Sequence, residues 1–139
     1  MARYAPEVRA VAVDALARLR KRLPGACELV YDNYNALAIG FGPTERASDV
    51  ILSVALYPRW VSLFFLNGAT LSDPDLLLKG KGTRVRHVVL SSGADLGKPA
   101  LRALVGQALA RARKPIDPKG RGGLVVKSIS KKQRPRRPA

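Results

Sequence analysis

The sequence predicts an α+β fold, a two-layer sandwich in which a mainly antiparallel β-meander carries an N-terminal and a C-terminal helix on one face. Three observations lead there. Apolar residues recur at helical spacing from Val8 to Leu23 and again from Leu101 to Ala112. Between these stretches lie short runs rich in Val, Ile, Leu and aromatic residues, separated by turn residues. The connections between the early runs are too short for crossover helices, so neighbouring strands run antiparallel.

The first helix opens at Pro6, a residue suited to a first helical turn. Val8, Val11, Ala12, Ala15, Leu16, Leu19 and Leu23 then form one apolar stripe. Glu7 near its start and the basic "RLRKR" near its end complement the helix dipole, and "LPG" stops it. Four strands follow, over residues 28–34, 36–41, 49–57 and 60–66. The first pair turns around Asn33 to Asn35 and the second at "YPRW", where Pro58 suits a turn and not a ladder. "GPTERASD" links the pairs as a polar loop. After Asn67 and Gly68, "ATLSDPDLLLKGKG" reads as irregular, "TRVRHVVL" as a fifth strand, and Pro99 opens the second helix.

With 139 residues the chain has room for one core. The division expected is a folded domain over residues 1–114 and a basic, Pro- and Gly-containing extension over 115–139. Within that extension residues 124–130 have strand composition and are expected to dock as an edge strand, while 131–139 are expected to be disordered when free.

Charge is the unusual quantity: 25 Lys and Arg oppose 10 Asp and Glu, a net +15. Residues 115–139 hold eight of those basic side chains against the single acid Asp117, so the remaining body still carries +8. Such a chain attracts polyanions, of which nucleic acid is the commonest in a cytoplasm. The apolar runs "VILSVALY" and "WVSLFFL" are too short to cross a bilayer, and the N-terminal stretch lacks a signal peptide's unbroken apolar region. A cytoplasmic protein with no membrane insertion is expected. Cys27 is the only cysteine, which excludes an internal disulfide or a cysteine-based metal cluster, and His87 the only histidine, which excludes a histidine-rich one.

Two basic stretches stand out as anion-binding candidates. The first is Lys79, Lys81, Arg84 and Arg86 in "LLLKGKGTRVRH". Its two glycines match neither nucleotide-loop pattern and lead into a strand and not a helix, so they are read as permitting a turn. The second is Lys131, Lys132, Arg134, Arg136 and Arg137 in "KKQRPRRP", where prolines keep the chain extended enough to follow a phosphate backbone. No cofactor motif and no metal-ligand spacing occurs. On the fifth strand Arg84, Arg86, Val88 and Leu90 alternate with Val85, His87 and Val89, and the second set is assigned to the core, which buries His87. The aromatics Tyr31, Tyr34, Tyr57, Trp60, Phe64 and Phe65 are read mostly as core, or else as a stacking platform on the helix-free face. An enzymatic reading would rest on Asp32, Tyr34 or His87, with no nucleophile motif beside them.

The succession "LPGACELVYDNYNALAIGF", "VSLFFLNGATLSDPDLLLKGKGTRVRHVVL" and "KPALRALVGQAL" resembles the bacterial YdhG-like family, a domain of unknown function, over roughly residues 6–112. The resemblance implies an α+β domain related in shape to frataxin, and some relatives are described as frataxin-like iron chaperones. Such iron binding would need an acidic ridge on the first helix and first strand. This helix sets Glu7 and Asp14 against Arg9, Arg18, Arg20, Lys21 and Arg22, a charge balance that repels hard cations. The function expected from the sequence is therefore non-enzymatic binding of an anion such as nucleic acid. A frataxin-like domain handling metal or a small ligand is the alternative.

Overall fold

The computed structural model describes Met1 and residues 3–138. Two helices, α1 (Pro6–Arg22) and α2 (Pro99–Ala110), accompany six strands: β1 (Cys27–Asp32), β2 (Leu37–Gly42), β3 (Leu52–Leu56), β4 (Val61–Phe65), β5 (Arg86–Leu90) and β6 (Gly123–Ile129). They form one mixed sheet in the order β5-β4-β3-β2-β1-β6. The first five strands are an antiparallel meander, and β6 returns to lie parallel to β1.

The register follows from alternation. Ile39, Val54 and Leu63 align across the central strands, as do Phe41, Leu52 and Phe65, and all are buried. These rows face α1, which rests on β3 and β4 and buries Val8, Ala12, Ala15, Leu16 and Leu19. Leu101, Leu104 and Val105 of α2 enter the same core. A short 3₁₀ helix, Gly93–Gly97, packs against both helices and joins β5 to α2. On the other face β2 and β3 present Ala38, Gly40, Ser53 and Ala55, side chains too small to support a second layer. Part of that face is closed by Val50, which lies 2.9 Å from where a Cβ on Gly40 would sit.

Two sequence expectations need correction. His87 belongs to the face opposite α1, half-buried, with its ring 5.2 Å from that of Phe64. The alternation on β5 separates the two sets correctly, but Arg86, Val88 and Leu90 are the set on the α1 side, aligned with Phe65, Leu63 and Val61. An alternating edge strand does not itself say which face is covered. Residues 131–138, expected to be disordered, lie along the body, and Arg136 is only 4 % exposed. No helix among the described residues is long and apolar enough to cross a membrane.

Candidate anion-binding site

At one end of the sheet three connections meet: the loop after β2, the turn after β4, and the segment between the end of α2 and β6. Asn67, two residues beyond β4, precedes a 3₁₀ turn over Gly68–Thr70. Glycine is required at 68, because a Cβ there would lie 2.5 Å from the Cβ of Arg86 and 3.0 Å from its backbone nitrogen. That close approach lets the Ala69 amide donate to the Arg84 carbonyl at 2.9 Å. The Arg84 guanidinium in turn donates to Asn67 Oδ1 through Nη2 at 2.9 Å and Nε at 3.2 Å.

Arg84 so held lines a polar concavity of about 360 Å³ together with Arg46, Asp49, Asn67, Arg113 and Lys114. Four cations and one carboxylate line it. Asp49 is held below the usual carboxylate range, first by the Thr44 hydroxyl donating to it at 2.6 Å and then by the Lys114 ammonium at 3.6 Å, against the effect of burial. It is ionised at neutral pH and tethers Lys114 at the rim. The remaining positive charge is uncompensated inside the concavity, an arrangement that accepts a phosphate or another oxyanion through charge-assisted hydrogen bonds.

The other residues singled out in the sequence have different fates. Lys79 and Lys81 are exposed, and Lys79 exchanges both backbone hydrogen bonds with His87, which adds a one-residue bridge outside β5. Gly80 takes φ +122°, the turn conformation expected of both glycines, and Gly82 does not take a positive φ. The Arg86 guanidinium is occupied by the carbonyls of Gly82 and Val85, so it braces its own loop. The basic C-terminal residues lie elsewhere. Their strand β6 is at the sheet edge opposite β5, and it ends beside Asp32, at the end of the sheet away from Arg86.

There Arg136 donates to Asp32 Oδ1 at 2.7 Å and to the Asn33 carbonyl at 2.6 Å, 5.6 Å from the ring of Tyr4. Arg134 lies over Tyr34 at 5.6 Å, Arg137 donates to the Arg3 carbonyl at 3.2 Å, and Lys131 and Lys132 are exposed. The structure thus joins Arg84 to Arg46, Arg113 and Lys114, and it sets the loop and the tail at opposite corners.

Sequence reasoning missed Arg46, Arg113 and Lys114. For Arg46 a usable signal existed in the meander. The end of β2, the start of β3, the end of β4 and the start of β5 must share one end of the sheet, so basic residues in their connections converge. Among the described residues no group of three or more His, Cys, Asp or Glu side chains is placed to hold a metal ion. Cys27 is half-buried, with its thiol 3.9 Å from the Pro43 carbonyl. No family model, curated protein or solved structure matches the chain.

Proposed function

We propose that this protein is a non-enzymatic domain of YdhG-like type that binds the phosphate backbone of nucleic acid through the concavity at Arg84. The observation that carries this reading is that Arg46, Arg84, Arg113 and Lys114 line one concavity with a single carboxylate, Asp49. The net charge of +15 supports it by drawing polyanions to the whole surface. Exposed Lys79 and Lys81 extend the basic surface along the β5 edge, and Lys131, Lys132, Arg134 and Arg137 offer a second contact at the far corner.

The finer architecture that goes with this reading is the frataxin-like sandwich, with both helices on one face of the sheet. In its favour, Phe65, which lies on the α1 side, lines a common cavity with Ala108, Arg111 and Ala112 at the end of α2. The metal-handling alternative has only the motif resemblance on its side.

Fluorescence anisotropy with labelled oligonucleotides at two salt concentrations tests the reading. Binding is expected at low salt, with a log–log slope of about −0.7 to −0.9 for each phosphate neutralised. The double variant Arg84→Glu, Arg113→Glu should lower affinity at least about tenfold and flatten the slope by roughly two phosphates' worth. Absence of binding at low salt would reduce the basic surface to an aid to solubility.

A further inference from the structure

The helix-free face is not a flat polar sheet. Its two central strands present Ala38 on β2 and Ser53 and Ala55 on β3 along a groove of about 420 Å³, while Gly40 lies under Val50. One end of the groove is walled by Tyr34 and Tyr57, the other by Phe64, Leu66 and Val85. By register the first end lies at the β1–β2 hairpin and the second at β4 and β5, so the groove crosses the sheet diagonally. Three strand spacings from β2 to β5 make this crossing at least about 14 Å wide. No charged side chain lines it.

Cations stand at both ends instead. At the hairpin end the Arg134 guanidinium lies 5.6 Å from the Tyr34 ring centre. At the other end Leu66 and Val85 are the chain neighbours of Asn67 and Arg84, which line the cationic concavity. The groove and the concavity are therefore neighbours along the chain, with no lining residue in common.

We infer that this groove receives the unpaired bases of a single-stranded nucleic acid whose backbone is held by the cations at its two ends. The inference rests on the nucleic-acid reading above and specifies its ligand. A neutral floor at the half-buried Ala38 and Ser53 lets flat rings approach the sheet. Tyr34, half-exposed at 47 %, and the Phe64 and His87 ring pair supply π-faces beside it. A duplex keeps its base faces stacked on one another and could use only the cations. Charge complementarity selects the occupant: a neutral or basic segment gains nothing from Arg134 and Arg84, whereas a strand of phosphates and bases uses both ends and the floor.

The test compares a short oligothymidine with a hairpin duplex of equal nucleotide number, by anisotropy at one salt concentration. Four proteins are used: wild type, Tyr34→Ala, Tyr34→Phe and Ala38→Glu. The single strand is expected to bind at least about tenfold more tightly than the duplex. Tyr34→Ala should lower single-strand affinity by about tenfold and leave duplex affinity within about twofold, and Tyr34→Phe should retain wild-type behaviour. Tyr34 is at a hairpin tip, so the substitution should leave the melting temperature unchanged. If it does not, Ala38→Glu, which places a carboxylate on the groove floor, gives the same discrimination. Equal binding of both ligands, unmoved by Tyr34→Ala and Ala38→Glu, would overturn the groove while leaving the backbone-binding reading intact. Failure of wild type to bind either ligand would overturn both.

Discussion

Asp95 shows how much one side chain can organise. Its Oδ2 accepts from the Ser91 amide at 2.8 Å, the Ser91 hydroxyl at 2.9 Å and the Ser92 amide at 3.3 Å, and its Oδ1 faces the Lys98 ammonium at 3.0 Å. With Ser92 it forms a capping box on the 3₁₀ helix wedged between α1 and α2. Burial alone would raise its carboxyl pKa, but the Lys98, Ser91 and Ser92 donors outweigh this and hold it at about 2. A carboxyl whose folded-state pKa lies below its unfolded value of about 3.9 stabilises the fold above that pH, and the contribution is lost as pH falls toward 2. Urea midpoints of the wild type should therefore drop between about pH 4 and 2. Asp95→Asn should cost about 1–2 kcal/mol at neutral pH and remove this part of the acid dependence. An unchanged acid profile in the variant would assign the loss to other carboxylates.

The last strand and the chain beyond it contribute more than charge. The strap from Ser130 to Arg137 begins with the Ser130 amide donating to the Asp32 carbonyl at 2.8 Å, continues with the Arg134 amide on the Tyr34 carbonyl at 2.9 Å, and ends with Arg136 beneath the surface. Arg136 Nη1 is buried without a hydrogen-bond partner, so its ion pair with Asp32 is not fully offset by other bonds. Arg136→Ala should cost about 1–3 kcal/mol, less than a fully buried pair, because water can still reach the Asp32 carboxylate. Deleting residues 131–139 should lower the melting temperature at least as much. Calorimetry on both variants checks this, and truncation without effect would show that the strap carries no stability.

What the sequence revealed about these elements divides along physical lines. Both helices and the five-strand meander are written in local periodicity, and the strands differ from expectation mainly at their ends. The loss of residue 49 from β3, for example, reflects a 3₁₀ turn over Ala47–Asp49. The strand pattern of "LVVKSI" was equally local, but its parallel pairing with β1 was not. That pairing depends on where a long return connection delivers the chain. Arg136 reads as one solvated charge among several in "QRPRRP". Its burial requires Asp32, Asn33 and Tyr4, more than a hundred positions away in sequence. The candidate site was read from the sequence only through Arg84, because Arg46 comes from the β2–β3 connection and Arg113 and Lys114 from the α2–β6 connection, which no periodicity links to it.

Across the whole molecule, three of the four carboxylates that α1 and β1 offer to a frataxin-like iron site are already paired. Asp14 pairs with Arg18 at 3.1 Å, Glu28 with Arg20 at 2.9 Å and Asp32 with Arg136 at 2.7 Å. These lie on α1 and β1, where such a site would be built, and a cation approaching them meets a molecule of net charge +15. Titration calorimetry with ferrous iron is expected to show no stoichiometric site. Tight binding abolished by Glu28→Gln or Asp32→Asn would reverse the functional ranking.

The parallel return of β6 also sets an order of events during synthesis. While only residues 1–110 have left the ribosome, β1 to β5 can pair with one another, but the outer edge of β1 has no neighbour until residues 123–129 emerge. For that interval a nascent chain shows a bare row of amides and carbonyls able to template pairing with another nascent chain. Sheet completion thus waits for β6, and a ribosome stalled shortly before it would hold the chain with the edge of β1 uncovered.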